Sequence, residues 1–276
     1  IAVNRIVVRS GRAIGVELED GTTFRAKAIV SNLHPRVTFL DLVGEENLPE
    51  EFVRAVRRFR SRSGSVKVNL ALSDLPRPLA WKGAVPGNPH TGVLAISPSI
   101  EYLERAWDDA KYGRTSREPY IEAVFPTVHE PDLAPAGHHI ALLFTQFGPY
   151  ELAEGSWETE RDTYARKVIS TLAAYAPNIE EAVEHYEVLA PPDIEERYGL
   201  LGGNIFQGEM SPDQLFLLRP VPGWAGYRTP LEGLYLCGSG THPGGGVMGV
   251  PGYNCSRVVR RDVGRRRWGH LRPLGL

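Results

Sequence analysis

The densest chemistry in this 276-residue sequence is a run of glycines. Ten of the 29 glycines fall between Gly223 and Gly252, and five of them stand in the nine residues Gly238-Ser239-Gly240-Thr241-His242-Pro243-Gly244-Gly245-Gly246. The apolar stretch Leu234-Tyr235-Leu236-Cys237 precedes the run and reads as a short buried strand. Residues 247–259 follow it and read as a helix with Pro251 early in it. A strand, a glycine turn and a helix N-terminus bring backbone N–H groups close to a ligand, because no Cβ intervenes. The helix dipole favours a ligand group that is or becomes negative. The alternative is a tight strand-to-helix connection without a ligand, for which three consecutive glycines carry a large entropic cost.

His242 lies inside the run and is the candidate side chain to orient a substrate or move a proton. The alternative is a loop histidine bonded to backbone. His34, His90, His129, His138, His139, His185 and His270 lack metal-ligand spacing with Asp, Glu or Cys, so they read as structural or exposed and no metal is expected. Cys237 and Cys255 are the only cysteines, which excludes a disulfide framework and a CxxC pair and fits a reducing compartment. Cys237 reads as a small hydrophobe at a strand end. Neither a GxSxG elbow nor a Walker loop occurs, which argues against a hydrolase triad and a nucleotide kinase.

The elements that must hold this run are legible from periodicity. Residues 1–30 read as a three-stranded meander: Ile6, Val7 and Val8, then Ile14, Val16 and Leu18, then Phe24, Ala26, Ala28 and Val30, with turns at Ser10-Gly11-Arg12 and Glu19-Asp20-Gly21. Amphipathic spacing predicts helices over 49–60, 99–110 and 157–175, the last on the stripe Trp157, Tyr164, Val168, Leu172 and Tyr175. Alternation predicts strands over 66–72, 92–97, 120–125 and 139–147. A short acidic helix over 179–185, a strand over 186–189 and a helix capped by Asp193 follow. Mixed helices and strands without strict βαβ alternation give an α+β class, a mixed sheet covered by helices on one side.

Residues 233–249, Gly-Leu-Tyr-Leu-Cys-Gly-Ser-Gly-Thr-His-Pro-Gly-Gly-Gly-Val-Met-Gly, resemble the C-terminal flavin-binding motif of the phytoene desaturase-like FAD-dependent oxidoreductases of the amine oxidase superfamily. A second stretch runs from Pro191-Pro192-Asp193-Ile194-Glu195 through Gly202-Gly203-Asn204-Ile205-Phe206 to Ser211-Pro212-Asp213-Gln214-Leu215. It is similar to the branch containing pyridine nucleotide-disulfide oxidoreductase domain-containing protein 2. Ala28-Ile29-Val30-Ser31-Asn32 resembles the family's middle segment, where the chain leaves the FAD domain.

The resemblance implies FAD as cofactor and hydride transfer from an apolar, isoprenoid-like organic substrate to flavin. It implies three segments: 1–32 from a Rossmann-like FAD/NAD(P)-binding domain, 33–210 as the substrate-binding domain, and 211–276 as the C-terminal FAD-domain segment. It further implies that the backbone of Val3 meets the adenine, that Ser31 and Asn32 lie near the cofactor at the crossing, and that Gly238 lies beside the pyrophosphate and ribityl chain. Gly245, Gly246 and Val247 would approach the pyrimidine edge of the isoalloxazine, where a helix N-terminus stabilises the anionic reduced form. The loop carrying Asn204, Phe206, Gln207 and Met210 would return toward the flavin face as a substrate pocket; the alternative is a surface loop packed on the sheet.

The family's N-terminal GxGxxG segment has no counterpart in the sequence, and the chain opens at Ile1 in mid-strand pattern, so a C-terminal fragment is expected. The open alternative is a non-catalytic binding or assembly module that keeps the substrate-domain fold without flavin. A net charge of −2 argues against a general nucleic-acid binder, and the cluster Arg257, Arg260, Arg261, Arg265, Arg266 and Arg267 reads as a solvated helix face and tail. Expected partners are the small apolar substrate, the N-terminal half of the FAD domain, a peripheral membrane contact and a second copy in a homodimer. With 42% hydrophobic residues but no run long enough to span a membrane, a cytoplasmic location is expected.

Overall fold

A computed structural model describes residues 1–269, with side chains as far as Gly264. The side chains of Arg265, Arg266 and Arg267, and the whole of His270, lie outside the described residues. The chain forms two compact units: Arg62–Asn204, and Ile1–Ser61 with the chain from Ile205 onward.

The first unit opens with the expected antiparallel meander, β1 (Val3–Arg9), β2 (Arg12–Leu18) and β3 (Thr23–Arg25), in the order β1-β2-β3. Ser10 and Gly11 turn the first hairpin with φ of +48° and +72°, the two left-handed residues that a tight twisted hairpin needs. The third strand corrects the sequence reading, because it stops at Arg25. Residues Ile29–Ser31 form a separate strand, β4, which pairs in parallel with β10 (Leu234–Leu236). Alternation reports which face a residue shows, whereas the choice of neighbouring strand depends on a segment two hundred residues away.

A π-helical segment, Val37–Val43, and helix α1, Glu50–Arg58, follow. Acidic Glu50 and Glu51 sit in the first turn of α1 and Arg57 and Arg58 in the last, complementing the helix dipole. Phe39, Val43, Phe52 and Val56 share one core with Ile6, Ala13, Ile29, Val221, Leu231, Leu234 and Leu236. The Phe39 and Phe52 rings meet edge-on with centroids 4.8 Å apart. Residues 33–61 therefore pack with the first unit, where the sequence reading had crossed into the substrate-binding domain at 33. The other crossing falls at 204/205, ahead of 210, because the 206–214 loop is gathered around Arg219 of the first unit. Helix α7, Val250–Gly269, closes this unit.

The second unit is a five-stranded antiparallel sheet under helices. Its strands are β5 (Ser65–Leu72), β6 (Leu94–Ile96), β7 (Tyr120–Val124), β8 (His139–Gln146) and β9 (Val183–Leu189), in the order β6-β7-β8-β5-β9. Its helices are α2 (Asn88–Thr91), α3 (Ile100–Lys111), α4 (Trp157–Ala173), α5 (Ile179–Ala182) and α6 (Pro191–Tyr198). One sheet face, carrying Val66, Val68, Leu70, Ile121, Ala141 and Leu143, packs against Trp157, Tyr164, Val168 and Leu172 of α4. Full burial of each such aliphatic side chain stabilises by about 1.5–3 kcal/mol. The Tyr164 hydroxyl donates to Thr145 Oγ1 (2.9 Å), which donates to the Val66 carbonyl (2.8 Å), so no polar group is stranded in this core.

Two local readings change. The acidic helix is the single turn α5, and β9 begins at Val183. Asp193 is not the cap of α6 but lies inside its first turn, where its carboxylate accepts the Ala190 N–H (2.8 Å) and pairs with Arg161. The class is α+β, as expected, but the five-stranded sheet is wholly antiparallel where a mixed sheet is expected from sequence.

Candidate functional site: a glycine cradle

Strand β10 delivers the glycine run alongside β4. Leu234, Tyr235 and Leu236 pair with Ile29, Val30 and Ser31, and the Cys237 N–H continues the ladder to the Ser31 carbonyl at 2.9 Å. At the next residue the two backbones converge, so that a Cβ on Gly238 would collide with the Asn32 carbonyl oxygen. A Cβ on Gly240 would stand 2.6 Å from Pro35 Cδ, and one on Gly245 would overlap the Phe206 ring. Close approach thus accounts for three of the glycines.

The backbone of the run is also unusual. Gly244 and Gly246 have φ of +112° and +117°, and Val247 has +55°. A β-branched residue in the left-handed region stores strain, and Val247 is fully exposed, so no core packing explains it. Gln207, Phe216 and Tyr227 also have positive φ. Among the described residues, four of the five such non-glycine positions therefore lie between 207 and 247.

Arg219 holds this region together, and the sequence reading missed it. Its side chain has no exposed surface. Nε and Nη2 donate to the Ser239 carbonyl (3.0 and 2.8 Å), Nη2 to the Phe206 carbonyl (2.8 Å) and Nη1 to the Glu209 carbonyl (3.0 Å). The guanidinium also lies over the Phe59 ring, 5.4 Å from its centroid. Burial lowers its pKa to about 10, which leaves it charged at neutral pH. The only signal in sequence is one charged residue at the end of the apolar run Leu215-Phe216-Leu217-Leu218.

Beside this staple, the buried His34 accepts the Arg36 N–H at Nδ1 (3.0 Å), so its proton sits on Nε2 and is donated to Ser61 Oγ (2.6 Å). Burial, then the charges of Arg36 and Arg219, push its pKa down to about 4. The thiol of Cys255 is pushed up to about 11 by burial and by Cys237, and burial also raises that of Cys237. Both are protonated packing groups at neutral pH.

The expected site residues divide clearly. Ser31 is buried and its hydroxyl shares a 2.7 Å hydrogen bond with Thr38 Oγ1, while the exposed Asn32 offers its backbone to Gly238. Gly245, Gly246 and Val247 precede α7, which begins at Val250, three residues later than the sequence spacing predicts. Val3 lies at the edge of the meander opposite Leu18. The carbonyl of His242 accepts the Tyr227 hydroxyl (2.9 Å), which in turn accepts from Asn254 Nδ2 of α7 (2.8 Å). Met210 and Phe206 pack against Gly244 and Gly245, whereas Asn204, in the other unit, is buried and donates to the Arg62 carbonyl (2.9 Å).

Among the described residues of this unit, Arg36 Nε, Gln207 Oε1 and His242 Nδ1 are buried without a hydrogen-bond partner. Buried polar atoms are nearly always satisfied, so each has capacity left for a water or a ligand. A flavin nucleotide fits this set. Glycine backbone accepts a flat ring at close range, helix N–H groups meet its electronegative edge, and a guanidinium suits a phosphate. Two hollows elsewhere, about 280 Å³ beside Arg228 and Tyr235 and about 410 Å³ beside β9, have rims whose charges are already paired, Arg228 with Asp262 and Arg197 with Glu187. Among the described residues, no group of three His, Cys, Asp or Glu side chains could hold a metal, and no helix is long and apolar enough to cross a membrane.

No protein-family model matches the sequence. The chain is 45% identical over 269 residues to pyridine nucleotide-disulfide oxidoreductase domain-containing protein 2 of Mus musculus, covering 95% of this chain and 46% of the mouse protein. It is 24% identical to the lycopene-forming phytoene desaturase of a Paracoccus species, covering 91% of this chain and 47% of that enzyme. An oxidoreductase from Methanosarcina mazei shares the fold, with a TM-score of 0.54 at 18% identity over 93% of this chain and 48% of that one. The chain thus spans about half the length of the curated relatives it matches, and the expected resemblance to phytoene desaturase-like oxidoreductases holds along nearly all of it.

Proposed function

We propose, from this kinship with the phytoene desaturase-like oxidoreductases, that the chain supplies the substrate-binding sheet and the glycine cradle of an FAD-dependent oxidoreductase. The observation that carries the reading is the end of the glycine run, where Gly244, Gly246 and the fully exposed Val247 hold positive φ, in the unit that also carries the unpartnered atoms of Arg36, Gln207 and His242. Gly238 and Gly240 would admit the pyrophosphate and ribityl chain, and the backbone of Gly245, Gly246 and Val247 would meet the isoalloxazine. Bound there, the flavin supplies a two-electron hydride acceptor for a C–H bond of an apolar organic substrate.

The chain's own residues bind, orient and exclude water. N–H groups at the start of α7 would hold the electronegative part of the flavin and stabilise its reduced, anionic form. The Arg36 guanidinium, which pairs with no carboxylate among the described residues, would offset ligand charge. The exposed Val247 and Met248 present apolar surface beside the cradle, and His242 Nδ1, buried and unpartnered among the described residues, has capacity to bond a ligand. The preceding half of the parent protein would contribute the GxGxxG segment and further parallel strands beside β4 and β10. Such a two-strand parallel pair is marginal by itself.

The test is the visible spectrum after gel filtration with FAD, for the chain alone and for the chain co-expressed with the preceding half of its parent. The co-expressed protein should retain the yellow oxidised-flavin band. A reconstituted parent that stays colourless overturns the oxidoreductase reading and leaves the flavin-free binding module.

A further inference from the structure

The five-stranded sheet has a second face, opposite the α4 core. The register puts Lys67 of β5 between Phe144 of β8 and Leu189 of β9, and Asn69 between Leu142 and Glu187, with Ala71 beside Ile140 in the next row. This face is apolar along β8, where residues 140 to 144 cover about 14 Å at the rise of an extended strand. Its carboxylates are engaged: Glu187 accepts from Arg197 (2.9 Å) and Asn69 (3.0 Å), and Glu122 accepts the Tyr120 hydroxyl. Lys67 is half-buried and makes no hydrogen bond or ion pair among the described residues, and the Oδ1 of Asn69, two residues along the same face, is buried without a donor among them.

An ammonium half-withdrawn from water and flanked by a phenylalanine and a leucine is costly to leave unpaired. Burial accordingly lowers its pKa. Leucine or methionine would fill such a position on an apolar face at lower cost. A cation, an orphaned acceptor and an aliphatic strip on one rigid sheet make a site for a molecule with an apolar body and an acidic head.

We infer that this face binds an amphipathic organic anion, its carboxylate on Lys67, its apolar chain along Phe144, Leu142 and Ile140, and Asn69 Oδ1 accepting a donor from the same molecule. The inference rests on the oxidoreductase reading only in calling that anion a substrate; binding itself requires no flavin.

The test compares decanoate with decan-1-ol, both below the concentrations at which they aggregate, by calorimetry on the full chain. Decanoate should bind at least tenfold more tightly. Lys67→Met should bring the two ligands within twofold of each other, and Lys67→Arg should restore the preference. Because the chain has only five lysines, methyl-labelled lysine NMR gives an independent reading on the unmutated protein. The Lys67 signal should shift saturably with decanoate and stay still with the alcohol. Equal affinity for the two ligands, no measurable binding of either, a preference that survives Lys67→Met, or a stationary Lys67 signal overturns the inference. A colourless reconstituted parent with the decanoate preference intact removes only the oxidoreductase reading; a flavin band without that preference removes only this one.

Discussion

Arg219 spends its guanidinium on carbonyl oxygens of loops that would otherwise have no common anchor. Arg219→Met would remove the buried donor shared by the Ser239, Phe206 and Glu209 carbonyls, with an expected loss of roughly 3–5 kcal/mol. Arg219→Lys should recover little, because one ammonium cannot reproduce the planar fork. Urea unfolding with matched m-values checks both. His34 acts through solvent exclusion. Its folded pKa of about 4 lies below the unfolded value near 6.5, so the unfolded chain binds more protons between those limits. The contribution is intact above pH 6.5 and shrinks as pH falls toward 4, by about 3 kcal/mol in all. Stability measured at pH 7 and 4.5 should fall less steeply in His34→Asn than in the wild type.

Among the elements, α6 separates two meanings of a left-handed glycine. Gly199 ends the helix with φ of +66° and nothing within 4 Å of a would-be Cβ, whereas Gly203 has nearly the same φ of +63° but a Cβ there would strike Pro191. Gly199→Ala should cost about 1 kcal/mol from conformation alone, and Gly203→Ala several times more, since the collision is with backbone. Thermal melts of the two variants separate these terms. On α4, Leu172 sits fully buried in the sheet core, and Leu172→Ala should cost about 2–5 kcal/mol by leaving a cavity. The α4 stripe, the first hairpin and the clean alternation of β5 were legible because each is a local pattern that reports which side is buried. The exchange of β4 from the meander to β10 was not, because pairing partners are set by contacts remote in sequence.

For the molecule as a whole, the core of the second unit draws its buried members only from residues 66–190, and Asn204 ties its two ends by donating to the Arg62 carbonyl. A segment of residues 62–204 should therefore fold by itself, with dispersed amide resonances and a single cooperative urea transition. Collapsed, poorly dispersed spectra would refute that autonomy. What the sequence by itself determined is the local chemistry: a glycine cradle, the helix that opens after it, the α+β class and the likeness to a flavin-dependent family. Tertiary structure alone decided which polar side chains are buried beside that run and on the second face of the sheet. Arg219 is an isolated charge at the end of an apolar run, and Lys67 and Asn69 read as ordinary outward positions of an alternating strand. Their significance comes from burial and missing partners, which are properties of neighbours brought together by the fold and leave no periodic trace along the chain.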